Sequence, residues 1–511
     1  MRAQGEKQMK IFGGARPDHP MSQPKEAKRI LEALPVAEAD KALDELAHWQ
    51  DSVAVAPGFK PDARIELLFM LDEAAQPRLR RLARDYFGDA RPSRVQENRL
   101  WTAAHGYCRH ASLAYARAVD LFVQNEKGVE AAKGRLPLLL VRELRTLAQQ
   151  IKWMHLRYGP IDPTAWGIFN RVYAFSEAKR LAEAKTAPYP GVAEETTPKL
   201  EFLKGLMFSA TSPDSLLPGE VELVERVIGD YAPHFLLAAG PDPSLGYWTD
   251  LAQAMAPARL TVAPASGPGL RCFGAGRALE ELNAAIERIH ATRQVPQALM
   301  LGSHADAEAT LKVLRHAAAY WSPQPPERKS RRHAMKSRLA VAHGYNGVLE
   351  ALGGGESLDF DNSGAESWLV ENVSAGGCGA VVPQLKGDWL RVGALVALQA
   401  EGGNNWLIGL VRRVNKTGAA QARVGIQTIS KAPNLSRFAV SGAAGAAQPG
   451  IVLGNGDASE ARIVLRPGVY APAQNLEIAR GERHHVYIPQ GVTERGEDYE
   501  IARFREMIRE G

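Results

Sequence analysis

Trp368-Leu-Val-Glu-Asn-Val-Ser-Ala-Gly-Gly-Cys-Gly-Ala-Val-Val382 is a β-rich run interrupted by a turn, and it governs how the C-terminal part of the chain is read. The turn displays Asn372 and Ser374 and is followed by Gly376, Gly377 and Gly379. Side chains two apart on a strand point the same way, so the carboxamide and the hydroxyl can grip one ligand edge together. The glycines let backbone approach that ligand with no Cβ in the way.

About forty residues upstream lies the basic stretch Glu327-Arg-Lys-Ser-Arg-Arg-His-Ala-Met-Lys-Ser-Arg338. It holds six Lys or Arg against one acid, a surplus of +5 that equals the net charge of the whole chain. A field this local suits a phosphate ligand or a nucleic acid, and Arg328, Arg331 and Arg332 can fork onto phosphates and stack on purine faces. Alone, the stretch reads as a solvated linker, and the glycine turn reads as a local Asn/Ser-stabilised β-turn. Their order within one β-rich unit favours a shared site.

An Arg-x-x-x-Arg element at Arg328–Arg332, then Asn-x-Ser-x-x-Gly at Asn372–Gly377, resembles the motif pair of the PilZ family. The resemblance runs on through Asp388-Trp-Leu-Arg-Val-Gly393, Gly409-Leu-Val-Arg-Arg413 and Val424-Gly-Ile-Gln-Thr-Ile429, about a fifth of the chain. It implies a six-stranded barrel that binds cyclic di-GMP without catalysis. On that resemblance Arg328 and Arg332, or Arg331 in another register, engage phosphates and guanines. Asn372 and Ser374 meet a guanine edge, and Gly376 and Gly377 lie in the close-approach turn.

The remainder sets the architecture. Residues 1–24 are Gly-, Pro- and charge-rich without periodicity and read as a disordered arm. Over 25–190 the stripes Ala39, Leu43, Leu46, Ala47 and Val141, Leu144, Leu147, Ile151 predict a helical domain, with Ser93-x-x-Gln96 as a capping box. After a proline-dense break, 199–321 reads as a second, mostly helical domain, and 322–327 as a linker. Period-2 runs then predict a small antiparallel β-barrel over 328–432, with strands that include Gly347–Leu352. A C-terminal β-rich unit spans 446–511 and ends in a helix over Tyr499–Ile508. The expected fold class is multidomain α + β.

At 511 residues a prior of about three domains is natural. Composition, 45% hydrophobic and 23% charged, is that of a soluble globular chain. Cys108, Cys272 and Cys378 are too scattered for a disulfide framework, no apolar run approaches a membrane span, and the first residues lack a signal-peptide core. A cytoplasmic location is expected. Several weaker constellations read as structural. Asp359-x-Asp361-x-Ser363-Gly364 lacks the acidic twelfth residue of a calcium loop. His105, Cys108 and His110 do not share a helix face, and Gly274-Ala-Gly276 and His484-His485 stand without supporting motifs. No catalytic constellation stands out, so no enzyme, metal or cofactor is expected. The expected function is a cyclic di-GMP-binding regulator with a protein partner for its helical region. The alternatives are a nucleic-acid-binding barrel with a helical adaptor, or a helical scaffold or chaperone.

Overall fold

The computed structural model describes residues 17–88, 92–262, 264–300, 306–326, 330–353, 365–418, 420–441, 446–454, 460–480 and 483–510. They form two compact units. The first takes in residues up to Met154, Ile161–Thr211 and Glu222–Pro325, and the second takes in His155–Pro160, Ser212–Val221 and Pro326 onward.

The first unit is mostly helical. It contains α1 (Pro24–Glu32), α2 (Ala39–Val55), α3 (Pro61–Phe87), α4 (Arg94–Val123), α5 (Leu136–His155), α6 (Pro163–Ala178), α7 (Pro198–Ala210) and α8 (Pro218–Tyr231), with the last residue of α5 and the first turn of α8 counted in the second unit. Proline opens α1, α3, α6 and α7 because the first helical N–H has no intrahelical partner to lose. Ser93 caps α4 through the Gln96 amide at 3.3 Å, as its sequence signature predicts. A four-stranded antiparallel sheet follows, within the stretch read as mostly helical. Its strands β1 (Leu236–Ala238), β2 (Tyr247–Asp250), β3 (Ala258–Arg259) and β4 (Leu270–Gly274) lie in the order β1-β4-β2-β3. Helices α9 (Arg277–Thr292) and α10 (Ala307–Trp321) complete the unit.

Its core holds a polar knot. Asp72 accepts the hydroxyls of Tyr107, Tyr115 and Tyr189 at 3.1, 2.9 and 3.1 Å. Arg142 lies over the rings of Phe69 and Tyr189 and donates to the Phe69 and Pro188 carbonyls and to Glu73. Every charge there is matched, as burial demands. Glu143, one residue on, is different: it is fully buried, and neither carboxylate oxygen meets a hydrogen-bond donor among the described residues.

The second unit carries two closed six-stranded barrels. The first is built from β5 (His333–His343), β6 (Glu366–Ser374), β7 (Gly377–Val382), β8 (Leu395–Ala400), β9 (Leu407–Lys416) and β10 (Ala422–Ser430) in the order β10-β7-β6-β5-β8-β9. The second is built from β11 (Asn434–Val440), β12 (Gln448–Val452), β13 (Glu460–Leu465), β14 (Leu476–Arg480), β15 (Arg483–Arg495) and β16 (Glu500–Glu510) in the order β11-β12-β13-β16-β15-β14. Numbering strands one to six within each, both barrels pair 1-2, 2-3, 3-6, 6-5, 5-4 and 4-1. The C-terminal unit repeats the topology of the first barrel.

Two expected elements change type. Gly347–Leu352, read as a strand, belongs to helix α11 (Gly344–Leu352). Tyr345, Val348 and Ala351 are buried at three-residue spacing, and Asp498 accepts the Tyr345 amide at 2.6 Å at the helix start. Tyr499–Ile508, read as a closing helix, is strand β16 from Glu500 onward, and that strand pairs with β15 along its length. Ala502 and Phe504 are buried while Arg503 and Arg505 are exposed, a period of two that the charged residues disguise.

The first barrel is filled, so its interior offers no room for a ligand. Trp368, Val370, Leu339, Val341, Ala380, Val382, Val424 and Ile426 share its core with Tyr158, which comes from the short segment after α5. The Tyr158 hydroxyl donates to the Leu216 carbonyl at 3.3 Å and accepts the Val392 amide at 3.2 Å, while its own carbonyl accepts from Lys416 at 2.7 Å. On the other side of the wall, α11 and residues of both barrels form a joint core that includes Leu395, Ile408, Ile451 and Tyr499. Burial on both faces explains why Leu395–Leu398 is continuously apolar.

Glu143 gives the first unit a specific pH signature. Burial pushes its pKa well above the ordinary carboxylate value. The folded state therefore keeps the proton while the unfolded chain releases it near pH 4.5. The stability that protonation gives is fully present below that pH and is lost as pH rises toward the folded pKa. Each tenfold weakening of the acid is worth about 1.4 kcal/mol. Glu143→Gln cannot ionise, so the thermal midpoint of the variant relative to wild type should climb between pH 5 and pH 8. A difference that stays constant across that range would show that Glu143 is not held protonated.

Candidate ligand-binding site

Strand β6 changes facing part-way along. Its first half sends Trp368 and Val370 into the barrel. The ladder to β7 then pairs Val370 with Ala380 but Asn372 with Gly379, leaving Glu371 as an extra residue. Such a bulge reverses the alternation beyond it. Val373 and its partner Cys378 accordingly pack on the barrel core, and Asn372 and Ser374 take the outer face. The β5–β6 ladder carries a second irregularity beside it, between Ala334 and Ser337.

On the outer face a cross-strand row can be followed from β5 to β9: Ala334, Asn372, Gly379, Gly425, Arg413. Its middle has no side chains at all. Asn372 lies against Gly379, where a Cβ would stand 2.9 Å from Oδ1 and 3.0 Å from Nδ2. The row spans Asn372 to Arg413 over three strand spacings, about 14 Å. The Asn372 Oδ1 is buried and has no hydrogen-bond partner among the described residues, so the carboxamide retains an unused acceptor. Ser374 donates to the Gly377 carbonyl at 3.2 Å.

The three glycines of the motif serve different ends. Gly376 faces open space. Gly377, at φ +152°, lies so close to β10 that a Cβ would come within 1.9 Å of the Ile426 carbonyl oxygen, so the demand for glycine there comes from the protein itself. Gly379 makes room for Asn372.

Arg331 and Arg332 are exposed and immediately precede His333, which pairs with Val373. The strand geometry thus delivers both guanidinium-bearing residues to the end of the sheet that carries Ser374 and Gly376. Burial pushes the Cys378 thiol up to about 11, and Arg332 draws it the other way, which places that cation's field at the turn. Arg328 lies outside the described residues, as do Asp359, Asp361, Ser363 and Gly364 of the calcium-like sequence.

Residues not singled out from the sequence complete the surface. Arg423 pairs with Glu371 at 3.3 Å. A bulge in β9 leaves Arg412 between the partners of Gly425 and Ile426, so two consecutive arginines stand out from the barrel. Arg412 is held by both Glu494 oxygens and by Gln427 at 2.8 Å; Arg413 is held by Asp214. The Arg412-Arg413 doublet at the end of the apolar run Leu407–Val411 was the available signal.

Elsewhere, the His105, Cys108 and His110 side chains go separate ways. His105 stacks on Trp101, Cys108 is buried with its pKa pushed to about 12, and His110 pairs with Asp51 at 2.5 Å. His485 pairs with Glu506 at 2.7 Å. No cluster of three metal-ligating side chains occurs among the described residues.

The two glycine demands are separable. Gly379→Ala should displace the Asn372 carboxamide while leaving the barrel folded, changing the thermal midpoint by little and abolishing the Asn372 contact with any ligand. Gly377→Val should break the β7–β10 ladder and cost about 3 kcal/mol or more, through both the clash and the positive φ. Circular dichroism melts check both, and equal destabilisation by the two substitutions would contradict this division of labour.

Residues 25–242 match a family model described as "Cyclic-di-GMP receptor FimW, N-terminal domain". The match covers less than half of the chain. It ends before the first barrel's strands begin, yet it includes the two segments, 155–160 and 212–221, that belong to the barrel-containing unit. No curated protein matches the chain.

Proposed function

We propose that this protein is a cyclic di-GMP-binding regulator of the PilZ type, holding the nucleotide on the outer face of the first barrel. The observation that carries the reading is the outer-face patch where the Asn372 carboxamide lies over Gly379 with an unused acceptor, between the open Gly376 and the half-buried Gly425, and to which Arg331 and Arg332 are supplied from the adjoining chain. At Gly376 and Gly425 a base can approach backbone with no Cβ in the way. The carboxamide and hydroxyl supply edge recognition, and the guanidinium groups supply phosphate contacts. The similarity of residues 25–242 to a cyclic di-GMP receptor's N-terminal domain supports the same ligand from a part of the chain that contains none of these residues.

The role is binding rather than catalysis, in a cytoplasmic bacterial protein whose helical unit contacts a protein partner. No helix among the described residues is long and apolar enough to cross a membrane. A single-stranded nucleic acid would want exposed aromatic platforms. Here Trp368 is fully buried, and Trp389 stacks on it with its indole N–H on Glu366, so the basic stretch has no stacking partner on the glycine row.

Calorimetry with cyclic di-GMP, GTP and cyclic AMP tests the reading. Cyclic di-GMP should bind selectively, and at ~100 times its Kd it should add about 2.7 kcal/mol to the stability of its unit. Arg332→Ala should weaken binding roughly ten- to a hundredfold by removing a charge-assisted contact of about 1.5–3 kcal/mol. Asn372→Ala should weaken guanine recognition. Absent or unselective binding removes the proposal, as would undiminished binding by Arg328→Ala, Arg331→Ala and Arg332→Ala alike.

A further inference from the structure

Arg413 closes the far end of the glycine row. Its Cβ stands 3.4 Å from where a Cβ on Gly425 would be, so its stem rises from the outer face at the edge of the bare surface. Just over half of the side chain is exposed at 57%, and its Nε donates to Asp214. Asp214 is its opposite in character. It is buried, with 9% of its side chain exposed, and its second oxygen accepts the Ser212 hydroxyl at 2.7 Å. A buried carboxylate therefore occupies a half-exposed guanidinium that stands beside Gly425 on the outer face.

The carboxylate belongs to a segment with a second attachment to the same barrel. Ser212–Val221 includes the short 3-10 helix Pro213–Ser215. At Leu216 its carbonyl accepts the Tyr158 hydroxyl, and Leu217 packs against the barrel core. By covalent connection the segment continues at both ends into the helical unit, from α7 and into α8.

Resting on the nucleotide-binding reading above, we propose that Arg413 is a further phosphate-binding residue and that Asp214 is its resident counter-ion, so that ligand and Ser212–Val221 compete for one guanidinium. An arginine fork satisfies a phosphate at least as well as a carboxylate. When the ligand takes Arg413, the segment loses the Asp214 ion pair and keeps, among others, the Tyr158 and Leu217 contacts. The coupling is reciprocal: whatever strengthens the Asp214 contact weakens the nucleotide, and the reverse.

Calorimetry with cyclic di-GMP on the full chain, together with hydrogen exchange over residues 212–221, tests this. Asp214→Asn removes the competing charge at constant shape and should tighten binding about two- to fivefold, the range expected from an ion pair with one exposed partner. Arg413→Gln should weaken binding about tenfold, and the double variant should bind like Arg413→Gln alone. In wild type, saturating nucleotide should speed exchange at the Ser215 and Leu216 amides; in Asp214→Asn those amides should exchange fast with or without ligand. Should Asp214→Asn prove unstable, Arg413→Gln and the wild-type exchange decide. If Arg332→Ala loses affinity while Arg413→Gln binds as wild type and exchange at 212–221 ignores ligand, this inference is overturned and the nucleotide reading stands. If wild type does not bind cyclic di-GMP, both fall.

Discussion

One additional residue in β6 determines which chemistry this barrel presents. Without the bulge at Glu371, the alternation begun by Trp368 and Val370 would turn Asn372 and Ser374 inward, into a core already filled by apolar side chains. Two polar groups would then be buried without partners, and Val373 would be stranded outside. The extra residue exchanges these roles. Everything outside the barrel at that level follows from it: the carboxamide needs room, which makes position 379 glycine, and the tight return to β10 makes position 377 glycine.

The second barrel shows what the same topology looks like without these demands. Its strand pairing is that of the first, but the corresponding chain from β12 toward β13, Leu453-Gly-Asn-Gly-Asp-Ala-Ser459, has no Asn-x-Ser-x-x-Gly pattern, and β11 is preceded by Lys431-Ala-Pro433 rather than by an arginine cluster. Within its β12, Gly450 is covered by the Phe438 and Leu465 side chains. What it contributes to the first barrel is support. Glu494 holds Arg412, and the Tyr499 hydroxyl donates to the Gly393 carbonyl at 2.7 Å.

Strands whose inner and outer faces differ in polarity, such as β6 and β10, could be read directly from alternation, and the helical stripes of α2 and α5 from their three- and four-residue spacing. The failures have physical causes. A short apolar run such as Gly347–Leu352 fits either period until its neighbours are known, and β16 presents arginine and glutamate where a strand usually shows its β-branched residues. Of the candidate site, Asn372, Ser374 and the glycines were legible as a motif. Their facing was not, because a bulge leaves no residue type behind. The Arg413–Asp214 ion pair was not either: the two are 199 positions apart, and nothing local in Ser212-Pro-Asp-Ser215 announces a partner.

Tyr158 also bears on how such a protein is made and inherited. Its hydroxyl meets the Val392 amide across 234 positions of sequence, so during synthesis the ring that will fill the barrel emerges long before the strands that will enclose it. Until then the Tyr158 ring and the Leu217 side chain lack the barrel core that they will share. The barrel begun at residue 326 likewise has no complete interior if it is cut away from what precedes it. Recombination at the proline-rich joint around Ser322–Pro326, the obvious seam in the linear chain, would separate a core from one of its own residues. A chain started at Pro326 would therefore lack Tyr158 and Leu217 from the core of its own first barrel.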